Sequence, residues 1–198
     1  MASPYAGFDQ TQWKRITDRL IHDHPLQASV IVAVVLNSWQ SLFDSKIGTR
    51  EFQIGKDFFP KPQVMGFFLE QLITLDLSAQ YPDQWRAEKS ADEKDIVYIP
   101  NAGYSVEIKT SSSPKHIYGN RSYAQEGNGS KKSKSGYVLA VNFQKFTNTT
   151  EKPMILRVRF GWLDHTDWIG QTAPTGQQSR VKGESETLKL QVLYPPAS

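Results

Sequence analysis

The 198-residue chain contains no cysteine. That absence removes disulfide scaffolds, zinc–cysteine sites and thiol catalysis together. Residues 1–8 lack the basic segment followed by an apolar stretch that marks an export signal, and the most apolar run, residues 30–36, is too short to cross a bilayer. We therefore expect a cytoplasmic chain with no membrane partner, in which the sequons at Asn120, Asn128 and Asn148 are chance matches. A large charge excess is missing as well: 23 Lys and Arg against 20 Asp and Glu leave only +3, so affinity for a polyanion has to come from cations that cluster. A hydrophobic content of 38% excludes a disordered chain, and the length suits one domain with a full core.

What is present is one chemically suggestive stretch, residues 95–110. Ile96-Val97-Tyr98-Ile99 and Val106-Glu107-Ile108-Lys109 flank the turn-former Pro100-Asn101-Ala102-Gly103, which predicts a β-hairpin opened by Asp95. Alternation puts Glu107 and Lys109 on one side of the second strand and turns Val106 and Ile108 into the core. Two acids and a lysine suit metal-assisted phosphodiester hydrolysis. Carboxylates from adjacent strands hold Mg²⁺, while the ammonium orients or activates a water and offsets charge on the phosphorane oxygens. Read as structure alone, Glu-x-Lys is an ordinary ion pair along one face of a strand.

Around that stretch the periodicity is first helical, then alternating. Residues 9–24 carry Trp13, Ile16 and Leu20 at helical spacing and are broken by Pro25. Residues 26–43 are apolar nearly all round, which predicts a buried helix or a packing interface. Residues 44–62 are irregular, and their Lys46, Arg50, Lys56 and Lys61 belong to a solvated loop or to a track along a phosphate backbone. Residues 63–77 form an amphipathic helix with Phe68, Leu69, Leu72 and Ile73 at core spacing and Glu70 at the edge of the stripe. Strands are predicted at residues 137–143, 154–162 and 188–193, with Arg157 and Arg159 facing solvent or DNA. The fold class is α/β. A single domain over 1–198 divides into a mainly helical part (1–80), a catalytic sheet (95–163), a basic loop (111–135) within it, and a C-terminal segment (164–198).

The loop is rich in Ser, Asn, Gly and cations, interleaved with Tyr118 and Tyr123. Such a stretch is either a mobile surface loop or a basic segment that closes on a polyanion, with Arg, Asn and Gln available for base edges. The Asp164-His165-Thr166-Asp167 cluster reads as a loop built on turn-forming aspartates in preference to a second metal site. His22 and His24 are two apart and do not share a helix face, which argues against ligation.

An acid, a hairpin and then Glu-x-Lys resemble the signature of the PD-(D/E)XK nuclease fold. Glu107-Ile108-Lys109-Thr110-Ser111-Ser112-Ser113 and Ile117-Tyr118-Gly119-Asn120-Arg121-Ser122-Tyr123-Ala124-Gln125 are similar to the ScaI-like family of type II restriction endonucleases. So are Phe160-Gly161-Trp162-Leu163-Asp164-His165-Thr166-Asp167-Trp168 and Thr175-Gly176-Gln177-Gln178. The resemblance implies a restriction-endonuclease-like core, a central mixed β-sheet flanked by helices. It implies Mg²⁺-dependent cleavage of double-stranded DNA at a short palindrome by a homodimer, with a cognate DNA methyltransferase protecting the same site. Asp95 and Glu107 become metal ligands, Lys109 the catalytic lysine, and Glu70 an acid joining from the preceding helix. DNA contacts fall to Lys115, His116, Asn120, Arg121, Ser122, Tyr123, Gln125, Lys131, Lys132, Lys134, Gln177 and Arg180. One departure is Lys94, where the family pattern has proline before the first acid, with Asp92 as a second acid nearby. The helix at residues 26–43 is the first place to look for the dimer interface, and burial in the monomer explains its apolarity equally well.

Two other functions fit the same residues. A structure-selective repair or recombination nuclease produces ends that share no sequence. A DNA-binding module without catalysis, in which the acids and lysine are only an ion pair, is indifferent to Lys109→Ala.

Overall fold

The computed structural model describes residues 2–125, 133–147, 152–173 and 175–195; Lys131 and Lys132, expected to contact DNA, lie outside them. Helix α1 (Gln10–His22) starts where the Gln12 side chain accepts from the Asp9 N–H at 3.2 Å. Helix α2 (Ala28–Asp44) follows the break at Pro25. Strands β1 (Lys46–Ile47) and β2 (Phe52–Gln53) form a small hairpin in the segment read as irregular. Helix α3 (Pro62–Gln80) opens on proline, whose missing N–H would have no intrahelical partner there. The remaining elements are β3 (Trp85–Ala87), β4 (Ile96–Tyr98), β5 (Val106–Ser111), β6 (Tyr118–Asn120), β7 (Gly136–Phe143), β8 (Ile155–Leu163), β9 (Trp168–Gly170), β10 (Gln178–Val181), α4 (Gly183–Leu188) and β11 (Leu190–Tyr194).

The main sheet has six strands in the order β11-β8-β7-β5-β4-β3, mixed because β5 and β7 run parallel while the other pairs are antiparallel. A second, antiparallel sheet has the order β6-β10-β9. Strand alternation gives the main sheet two different faces. Val106, Ile108, Leu139, Val141 and Phe160 pack with Val35, Leu69, Ile73 and Leu77 of the helices. On the other face Val138 and Ala140 pack with Ile117, Tyr123, Trp168 and Val181 of the second sheet and its surroundings. The β5–β7 register sets Glu107 beside Val138 and Lys109 beside Ala140, so the acid and the lysine lie on the face that the small sheet covers. Helix α3 crosses close to β5 at Gly66, where a Cβ would stand 2.6 Å from Thr110 Oγ1. A side chain at that crossing would have to displace the Thr110 hydroxyl, and the approach carries Glu70 one turn later toward the same strand.

Two sequence expectations, for Arg159 and Phe68, differ from the structure, while for residues 26–43 burial within the monomer is the alternative that the structure shows. Arg159 faces neither solvent nor DNA: it is 3% exposed, and its Nη2 donates to Asn142 Oδ1 at 2.7 Å and to the Lys115 carbonyl at 2.9 Å. Those acceptors compensate for a burial that lowers the guanidinium pKa. Helix α2 uses its apolar face inside the monomer, burying Ile31, Val34, Val35, Trp39 and Leu42. Phe68, placed in the core by spacing, is instead exposed together with Val64, Phe67 and Leu75 of α3.

His24 makes the fold pH-sensitive. It is buried, its Nδ1 accepts from the Leu26 N–H at 3.1 Å, and its Nε2 lies 3.0 Å from the Tyr104 carbonyl. The ring is therefore neutral with its proton on Nε2, packed against Tyr137 and Phe160. Burial lowers its pKa to about 4. Below the unfolded value, about 6.5, the unfolded chain takes a proton that the folded chain refuses. Stability is accordingly full above that pH and falls by roughly 3 kcal/mol as pH drops toward the folded pKa. Denaturant titrations between pH 7 and 4.5 should show the midpoint falling; a flat profile contradicts this account of His24.

Candidate active site

Asp95 sits just before β4, with its carboxylate turned onto the next strand, where Oδ2 accepts the Ile108 N–H at 2.6 Å. Glu107, one residue earlier on β5, is 2% exposed. Its Oε1 accepts from Lys109 Nζ at 2.6 Å and from the Tyr123 hydroxyl, while Oε2 lies 3.7 Å from Lys94 Nζ. Lys109 Nζ also donates to the Ile108 carbonyl at 2.9 Å and stands 4.7 Å from the centre of the Tyr123 ring. Lys94 Nζ donates as well to the Ser133 carbonyl at 2.7 Å. A carboxylate this deeply buried stays charged only among cations and donors, and Glu107 is surrounded by both.

Glu70 approaches β5 from the helix side. Thr110 Oγ1 donates to its Oε1 at 2.8 Å. Its pKa is raised, first by burial and further by the charges of Asp95 and Glu107, against the pull of Thr110 and Lys109. The three acids and the lysine thus feel one another electrostatically. Asp92, the alternative acid, is exposed. Among the described residues, no three His, Cys, Asp or Glu side chains converge on one point as a ready metal cage; Asp95 is bonded to the Ile108 N–H and Glu70 to Thr110.

The residues expected to contact DNA separate into groups. Lys115, His116, Asn120, Ser122, Gln125, Gln177 and Arg180 are exposed, and His116 Nδ1 lies 3.5 Å from Glu186. Lys134 is half-buried, its ammonium 4.8 Å from the Tyr123 ring centre. Arg121 clamps a loop: its Nη1 donates to the Ala173 and Gly176 carbonyls, both at 3.3 Å, and its backbone N–H donates to the Gln177 carbonyl. Tyr123 is buried against Trp168 with its hydroxyl on Glu107, so the structure places it behind the acid and away from the surface. Tyr123 and Lys94 as partners of Glu107 escaped the sequence reading. Tyr123 lies 16 residues beyond its partner, in a polar stretch without periodicity, and Lys94 showed only as a departure from proline.

The aspartates of residues 164–167 are turn-forming, as expected: they cap a short 3-10 turn over His165–Asp167, where Asp167 Oδ2 accepts the Asp164 N–H at 2.7 Å. Both are buried, and Lys189 Nζ reaches Asp167 at 2.9 Å and Asp164 at 3.4 Å. Ser185 Oγ donates to Asp167 at 2.7 Å and Ser3 Oγ to Asp164 at 2.7 Å. Lys189→Met keeps the volume but strands two buried carboxylates, which costs about 3–5 kcal/mol and lowers the melting temperature by about 10 °C. Calorimetry checks this; a shift under about 2 °C contradicts a structural role for the cluster.

A mixed sheet backed by helices, with an acid at the head of one strand and Glu-x-Lys on the next, places the chain in the restriction-endonuclease-like α/β class. The family model described as the ScaI restriction endonuclease matches residues 3–194. The chain belongs to the ScaI restriction endonuclease family. It is 44% identical over 194 residues to the type II restriction enzyme ScaI of Streptomyces caespitosus, a match that covers 97% of this chain and 85% of that enzyme.

Proposed function

We propose that this chain is a type II restriction endonuclease that uses Mg²⁺ to hydrolyse both strands of DNA at a short palindrome, with Asp95, Glu107 and Lys109 as its catalytic residues. The observation that carries the reading is the buried Glu107 carboxylate held against Lys109 Nζ at 2.6 Å, with Asp95 pinned to the same strand. The donors present fit the metal. They are carboxylate oxygens, which Mg²⁺ prefers, and Glu70, whose pKa is raised first by burial and then by the charges of Asp95 and Glu107, is a further carboxylate that a cation would stabilise. Asp95 and Glu107 would hold the ion, and Glu70 would join through a water. Bound there, Mg²⁺ supplies polarisation of the phosphate and a more acidic water.

Lys109 has three N–H donors. Two are directed at Glu107 and the Ile108 carbonyl; the third positions the attacking water or meets a phosphate oxygen. Tyr123, through its hydroxyl, holds Glu107 in place while that lysine works. Lys115, His116, Ser122, Gln125, Lys134 and Gln177 would contact the DNA.

A two-fold symmetric site is most simply cut by a two-fold symmetric dimer. With α2 occupied in the monomer, the apolar stripe of α3 at Val64, Phe67, Phe68 and Leu75 is the surface for a second copy. Sedimentation should show a dimer that Phe67→Glu converts to a monomer; a wild-type monomer on cognate DNA contradicts this. The enzyme would act in the cytoplasm beside a DNA methyltransferase that protects the same sites. No helix among the described residues is long and apolar enough to cross a membrane.

Unmethylated phage DNA tests the reaction. Discrete fragments with Mg²⁺ and intact DNA with EDTA are expected. A smear indicates a structure-selective nuclease. A gel shift with intact DNA under both conditions indicates a non-catalytic module.

A further inference from the structure

The outer face of the three-stranded sheet has no role in the catalytic centre. Its register places Arg180 of β10 between Tyr118 of β6 and Ile169 of β9, and Gln178 beside Asn120. Alternation sends Ser179 and Val181 inward, each 2% exposed, and Gln178 and Arg180 outward. Tyr118, Asn120 and Ile169 are exposed on the same side. Among the described residues, the side chains of Asn120, Gln178 and Arg180 make no hydrogen bond or ion pair with the protein. No acid occurs in any of the three strands. A hollow of about 550 Å³ opens over Tyr118, Ile169 and Arg180.

The face is also fixed relative to the reaction centre. Gly119 of β6 lies on the rings of Trp168 and Tyr123, where a Cβ would come within 3.0 and 3.3 Å. Tyr123 in turn donates to Glu107. The sheet is thereby held at a fixed position relative to Glu107 and Lys109.

We propose that this outer face reads base edges in the groove of the duplex being cut, with Asn120, Gln178 and Arg180 as specificity-determining residues. The proposal rests on the nuclease reading above and deepens it. A two-stranded antiparallel ribbon fits the major groove. The side-chain amides of Asn120 and Gln178 each offer a donor and an acceptor, the pattern complementary to adenine, and the Arg180 fork matches guanine. Tyr118 and Ile169 flank Arg180 with apolar surface suited to a thymine methyl group. Gln178, outward in β10, is the reading residue in place of its neighbour Gln177, which precedes the strand.

The test compares wild type with Asn120→Ala, Gln178→Ala, Arg180→Ala and Arg180→Lys. Single-turnover cleavage with Mg²⁺ is measured on a duplex carrying the wild-type cleavage site and on its single-base-pair variants, with thermal midpoints confirming the fold. Each alanine variant should lose about 10- to 100-fold at the cognate site and lose discrimination at one base pair and its symmetry mate. Arg180→Lys should fall between wild type and Arg180→Ala in rate and discrimination, because an ammonium can donate to guanine but lacks the planar fork. Uniform losses on every sequence, unchanged discrimination, or a wild-type-like Arg180→Lys overturn the proposal. Wild-type ends with one shared sequence alongside such a result remove the base-reading assignment alone; wild-type ends with no shared sequence overturn the nuclease reading and this proposal together.

Discussion

Lys109→Ala is expected to abolish DNA cleavage and to leave DNA binding in place. The substitution removes the ammonium that stands 2.6 Å from Glu107 and is directed by the Ile108 carbonyl, and with it, in the proposed reaction, the group that would orient the water and meet charge developing on the phosphate. A loss of at least about 1,000-fold follows from that role. The fold should persist, because Glu107 keeps its contacts with Tyr123 and Lys94. Binding is followed by gel shift in EDTA, and cleavage by single-turnover kinetics in Mg²⁺. Cleavage at the wild-type rate would make the acid-lysine group a structural ion pair.

Glu107→Gln is expected to be as damaging to cleavage, at least about 1,000-fold at ordinary Mg²⁺ concentrations, for a different reason. Glutamine keeps the volume and an acceptor for Tyr123 but removes the charge that would hold the metal. It also removes a negative charge from beside the phosphate, so metal-free DNA affinity should rise several-fold while Lys109→Ala leaves it level or lowers it. A rise in affinity for Glu107→Gln and none for Lys109→Ala separates the metal-holding role from the lysine role. Equal binding by both variants, or wild-type cleavage by Glu107→Gln, contradicts the division of labour.

The legible parts of the site are those with a local period. Alternation over residues 106–109 correctly put Glu107 and Lys109 on one face and Val106 and Ile108 in the core, as β5 shows. Helical spacing found α1, α2 and α3 to within a few residues. What remained hidden depends on contacts between distant segments. Strands β6, β9 and β10 have three or four residues each, too few for a period, so the small sheet and the burial of Tyr123 beneath it carried no local signal. Arg159 is buried on backbone and amide acceptors that sequence does not display. The exposed Phe67 and Phe68 of α3 show the converse: apolarity identifies a helix face without saying whether the monomer or a partner covers it.

Sequencing every fragment end produced from unmethylated phage DNA tests the central claim most directly. The account predicts that all Mg²⁺-dependent ends fall within one palindrome, cut once per strand at symmetric positions. Ends scattered over unrelated sequences would contradict it.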